Sequence, residues 1–224
     1  MARGNLYSLL ASLLWGATGL WMYYLRELSL ESVLFFRFLV SLLFIALIAV
    51  FLKSHIVGRN ADFLGGIALC SYYCFATTAF VSANMIDVGF IISTTPFFVM
   101  LWWWLKGRPP NGLQLAGAML ATIGTLLVIA GAEPAVMTGV SNSTPGLLFA
   151  FGAALSMTLY SVISASAGTS AITVNLWAFL IGLLASMLLF SASHGFSLAV
   201  PFMPSVEQVL LLMGLALLST LGAG

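Results

Sequence analysis

From Leu28 to Leu52 the only charged side chains are Glu31 and Arg37, and apolar runs of this kind recur along the whole chain. A helix needs about 17 to 25 such residues to cross the hydrocarbon of a bilayer. Within lipid the backbone must satisfy its own hydrogen bonds, and a helix does so segment by segment. Eight spanning helices are expected, near residues 4–24, 32–52, 63–84, 87–106, 112–131, 146–165, 172–192 and 207–224. The breaks between them carry charges or turn formers: "RELSLE", "KSHIVGRNAD", "KGRPPN", "AEPAVMTGVSNSTP", "SAGTSA" and "SHGFSLAVPFMPS". The expected fold is therefore an all-α membrane protein, a multi-pass helical bundle. Composition agrees. Only 6% of the 224 residues are charged, against about 25% in soluble chains, so the lipid bilayer is the expected partner of most of the surface. A net charge of +1 without a basic run gives no nucleic-acid partner.

The start, "MARGNLYSLLASLLWGATGLWMYY", sets one arginine before a long apolar run with no A-x-A cleavage site, and reads as a retained first helix. Arg3, Lys53, Arg59, Lys106 and Arg108 fall on one side of this layout, and Arg26 on the other. The excess of basic residues marks the cytoplasmic side, so the amino terminus is expected there.

An internal repeat is visible at an offset of 142 residues. "LSLESVLFF" (28–36) and "SAITVNLWA" (170–178) each lead from a turn into an apolar helix, and the helices beginning near Gly4 and Gly146 keep the same offset. The unit would be five helices. An odd unit inserts twice in opposite orientations, as in many secondary transporters. The second unit stops in its third helix, and two missing helices are the expected reason.

Polar residues inside the spans are the candidates for chemistry, because they are costly there. Arg37 has two readings: an anchor reaching the headgroups beside Glu31 or Glu27, or an inward guanidinium that binds a substrate carboxylate through paired donors. No Asp or Glu lies centrally in a predicted helix, which favours a neutral, zwitterionic or anionic solute over a lipophilic cation. Trp15 and Thr18 share a face of the first helix, and Thr18 corresponds to Tyr160 in the sixth at the repeat offset. Ser8, Ser12 and Gly16 form a small-residue stripe suited to packing, and Gly152, Ser156, Tyr160 and Ser164 repeat the four-residue spacing in the sixth helix. Tyr73 and Thr77 share a face of the third helix. Substrate binding is assigned on these grounds to Trp15, Thr18, Arg37, Tyr73, Thr77 and Tyr160. Pro96 frees a carbonyl in the fourth helix and is the expected hinge, or a means of showing carbonyls to substrate. Trp102, Trp103 and Trp104 read as an interfacial belt beside Lys106. Cys70 and Cys74 fit neither a zinc site nor a redox pair, and His55 and His194 lie in loops with no catalytic frame. No catalytic residue, cofactor or metal is expected.

These stretches carry a family resemblance. "LLWGATGLW" resembles the WG signature of the EamA branch of the drug/metabolite transporter superfamily. "LSLESVLFFRFLVSLLF" resembles that family's second helix, and "FVSANMIDVGFIISTTPFFVMLWWWLKG" with "LQLAGAMLATIGTLLVIAG" its third-to-fifth-helix region. Where the family usually has a glutamate after the fourth helix, "GRPPN" offers Arg108. The resemblance implies ten helices in two inverted units: residues 1–131 as the first, 132–145 as a connecting loop, and 146–224 as an incomplete second. It also implies a secondary transporter, an exporter of small organic metabolites such as amino acids, working by alternating access in the cell membrane, a bacterial inner membrane. A homodimer is compatible with such a bundle. The alternative is a truncated membrane protein or scaffold that does not transport. A small-multidrug-type exporter and an intramembrane enzyme rank below both.

Overall fold

The structure, a computed structural model, describes residues 21, 22, 24, 25, 28–53, 58–131, 144–194 and 205–222. These residues form eight helices: α1 (Leu30–Phe51), α2 (Asn60–Ser82), α3 (Met85–Ser93), α4 (Thr95–Leu105), α5 (Gly112–Gly131), α6 (Thr144–Ala167), α7 (Ala171–His194) and α8 (Val206–Gly222). Most of the expected first helix lies outside them, so α1 answers to the second. The expected fourth helix is broken into α3 and α4.

Local chemistry explains where the helices begin and end. The Ser29 hydroxyl accepts from the Ser32 N–H and starts α1. The Asn84 amide oxygen accepts from the Ile86 N–H and starts α3. Asn111 and Gln114 exchange backbone-to-side-chain bonds of 2.8 and 3.0 Å at the head of α5, and Ser205 and Gln208 do the same before α8. Both are capping boxes. α4 closes on Gly107, whose φ of 76° suits a residue without a Cβ. There the Arg108 N–H donates to the Trp103 carbonyl and the Gly107 N–H to that of Trp104, a Schellman end.

Among the described residues five stretches are long and apolar enough to cross a membrane: Leu30–Phe51, Asn60–Ser82, Met85–Leu105, Thr144–Ala167 and Ala171–Ala192. α5 and α8 supply shorter apolar stretches, Gly112–Gly124 and Val206–Leu217. Leu43, Leu47 and Phe51 of α1 and Leu184 and Leu188 of α7 are exposed. That surface suits lipid, not water.

The chain divides into two compact units, Met1–Cys70 with Thr169–Gly224, and Ser71–Gly168. Each draws on both halves of the sequence. In the first, α1 packs against α7 and α8. Close approach requires glycine at two of its contacts. A Cβ at Gly182 of α7 would stand 2.4 Å from the Phe38 ring of α1, and one at Gly66 of α2 would stand 2.5 Å from the Trp177 Cβ of α7. Phe63 and Trp177 meet edge to face at 5.2 Å. In the second unit, α3 and α4 pack on α6 and α3 also on α5. Its small core of Ala79, Ala83, Val88 and Ala150 is lined by Phe80, Ile91, Ile92 and Leu147.

Candidate functional site: buried polar groups in an apolar bundle

Apolar helices gain nothing by burying polar side chains, so those that are buried are the candidates for chemistry. Among the described residues the buried polar or charged ones are Ser32, Arg37, Ser41, Asp62, Thr77, Thr173, Asn175 and Ser186. Six of these lie on α1 and α7, the helices that pack against each other in the first unit. Two of the six have local explanations. Ser32 accepts from the Ser29 hydroxyl, and the Ser186 hydroxyl donates back to the Leu183 carbonyl. Thr78, Thr122, Thr158, Ser161 and Ser166 also bond back to their own helices, the ordinary behaviour of hydroxyls there.

Arg37 is 3% exposed and is not without a partner. On the same side of α1 lie Phe38 and Ser41, both buried. The α7 face that meets Phe38 is defined by Gly182. Asn175, Phe179 and Ser186 share that face at helical spacing.

A second buried group lies at the helix ends. Asp62, in the first turn of α2, is fully buried. Its Oδ1 accepts from the Ser170 N–H at 3.0 Å, at the head of α7. Its Oδ2 accepts from the Arg59 N–H at 3.2 Å and from Arg59 Nε at 3.3 Å. One carboxylate therefore serves the unpaired donors of two helix N-termini, where both dipoles favour a negative charge. Further along, Gly66 meets Val174, Trp177 and Ala178. The contacts climb both helices together, so α2 and α7 run parallel at this crossing.

Tyr73 and Thr77 of α2 are buried, and the Tyr73 ring lies 5.4 Å from that of Tyr72. Tyr160 of α6 is half-buried and has a partner. These three belong to the second unit and Arg37 to the first. Trp15 and Thr18 lie outside the described residues. Gly152, one of the residues at four-residue spacing on α6, lies against the Phe75 ring.

Pro96 stands in the first turn of α4, just after the break at Thr94. Its missing N–H leaves the Ile92 carbonyl without its helical donor. That carbonyl accepts instead from the Thr95 hydroxyl at 2.7 Å. The Ser93 and Thr94 hydroxyls cover the Phe90 and Ile91 carbonyls in the same way. At the far end of α4, Lys106 lies over the Trp102 ring and Arg108 over the Trp103 ring, 5.4 and 5.3 Å from their centres. Both contacts fit an interfacial belt.

Asp62 and Asn175 were missed by sequence reasoning. Asp62 sits in the charged stretch "GRNAD", which reads as a loop. Asn175 carried a signal that could have been used: among the described helices it is the one carboxamide lying past the first turn.

The family model described as "EamA-like transporter family" matches residues 2–130. Neither a curated protein nor a solved structure matches the chain significantly.

Proposed function

Because the chain belongs to the EamA-like transporter family, and so is a multi-pass membrane protein of the drug/metabolite transporter superfamily, we propose that it is a secondary transporter that exports small organic metabolites such as amino acids. Two five-helix units in opposite orientation alternate access to a site between them. The units are residues 1–131 and the part of the second that begins at 146, and the amino terminus faces the cytoplasm of a bacterial inner membrane.

The observation that carries this reading is the pairing of helix heads by Asp62. α1 leads through a short connection into α2, so α1 ends on the side where α2 begins. α7 begins on that side too, since its Ser170 N–H meets the Asp62 carboxylate. α1 and α7, matched at the 142-residue offset, therefore point in opposite directions. That is the relation an inverted repeat requires.

In the proposed cycle Arg37 binds a solute carboxylate, while Trp15, Thr18, Tyr73, Thr77 and Tyr160 line the path. The break at Thr94 and Pro96 serves as the hinge. The Asp62–Ser170 contact holds the heads of α2 and α7 together in the conformation described here and releases them in the other. Uptake and counterflow of labelled amino acids in reconstituted vesicles test the proposal. Saturable flux in the intact chain supports it. Flux no greater than in protein-free vesicles, across a panel of amino acids and related acids, sinks it.

A further inference from the structure

We infer that the amide oxygen of Asn175 reads a hydrogen-bond donor, N–H or O–H, on the transported solute, an inference that rests on the transport reading above. Asn175 is 1% exposed. Its Nδ2 donates to the Ala171 carbonyl at 2.9 Å. This bond fixes which end of the amide is oxygen, because the reversed group would set two acceptors against each other. Oδ1 then meets no donor among the described residues. A buried acceptor in that condition is rare and calls for a reason.

Its position on the helix supplies one. Asn175 precedes Gly182 by seven residues, two turns of helix, so the two share a face. Gly182 lies against the Phe38 ring, and that face is therefore turned to α1. Asn175 therefore stands on the face of α7 turned to α1, two helices matched at the 142-residue offset, and a solute site is expected between the repeats. Leucine would fill the same space without leaving an oxygen unpaired. The acceptor is sealed while α1 and α7 stay packed, and their separation is the motion that alternating access demands. A solute with a suitable donor then relieves Oδ1, whereas a matched solute without one leaves it unpaired. A site built this way discriminates strongly by hydrogen bonding.

The test uses the whole chain in vesicles and three matched pairs of L-amino acids: threonine with valine, tyrosine with phenylalanine, and glutamine with methionine. In the intact protein kcat/KM should favour the donor-bearing member of at least one pair by about tenfold or more, a small part of what such sites achieve. In Asn175→Leu that ratio should fall close to one, uptake of the apolar member should persist, and the thermal midpoint should not drop. Asn175→Ala repeats the measurement if leucine prevents folding. An unchanged ratio in either folded variant overturns the role of Asn175 and leaves the transport reading standing. So does a ratio near one in all three pairs for the intact protein. No flux of any panel member overturns both.

Discussion

A guanidinium buried without partners costs several kcal/mol, so the 3% exposure of Arg37 implies that its position is held by what surrounds it. Arg37→Ala should lower flux of carboxylate-bearing solutes by about tenfold or more, the loss of at least ~1.4 kcal/mol of binding. Arg37→Lys should recover only part, since an ammonium cannot make paired donor contacts. Flux unchanged in Arg37→Ala removes Arg37 from the site. A second residue-scale prediction concerns Gly182. Gly182→Ala should cost roughly 1–3 kcal/mol of stability by forcing the Phe38 ring aside. Adding Phe38→Leu should recover part of that loss, and a thermal-unfolding double-mutant cycle in detergent measures the coupling. Strict additivity would mean the two side chains do not constrain each other. At this scale the sequence is legible where a residue contrasts with its neighbours. Arg37 is conspicuous in "LFFRFLV", whereas nothing local says that the glycine of "FLIGLL" must receive a phenylalanine from a helix about 140 residues earlier.

Elements were easier to read than residues, because a span announces itself by length and its ends by caps. The expected 112–131 helix is α5, and the Asn111–Gln114 box explains its start. α2 begins earlier than hydropathy suggests, at Asn60, because Asp62 is buried by pairing rather than by being apolar. That pairing reaches across 108 positions, a distance no periodicity spans. Its two halves should differ in strength. The Arg59 side chain is 49% exposed, and an exposed ion pair contributes about 0–1 kcal/mol. The bond from the Ser170 N–H to a buried carboxylate belongs to the stronger charge-assisted class, roughly 1.5–3 kcal/mol. Arg59→Ala should therefore change stability little, while Asp62→Ala should cost more and speed hydrogen exchange at the head of α7. Equal losses in the two variants would place the anchor at Arg59 instead. The α3–α4 break makes a similar case. Thr95→Val leaves the Ile92 carbonyl without the hydroxyl that replaces Pro96's missing donor, and should destabilise by about 1–3 kcal/mol. A value near zero would mean that another donor reaches that carbonyl.

For the whole molecule, the contact between Asp62 and Ser170 constrains the number of crossings. The heads of α2 and α7 are 3.0 Å apart at this bond, while the two faces of the hydrocarbon are about 30 Å apart. Both heads must therefore lie on one face, and the chain between them must cross an even number of times. α3 and α4, at 9 and 11 residues, are roughly 14 and 17 Å long, so neither crosses alone. In the proposed topology they make one crossing together, with α2, α5 and α6 as the other three. On that topology the break at Thr94 is a kink inside one span, and α5, at 20 residues, is long enough to traverse alone. Labelling with a membrane-impermeant maleimide, after Cys70 and Cys74 are replaced by alanine, tests this directly. Cysteines at Gly58, Arg108 and Ala167 should react from the same side, and those at Asn84 and Glu207 from the opposite one. If Arg108 reacts from the side of Asn84, α3 and α4 do not form one crossing. If Ala167 reacts from the side of Glu207, the inverted relation of α1 and α7 is lost, and with it the physical basis for alternating access.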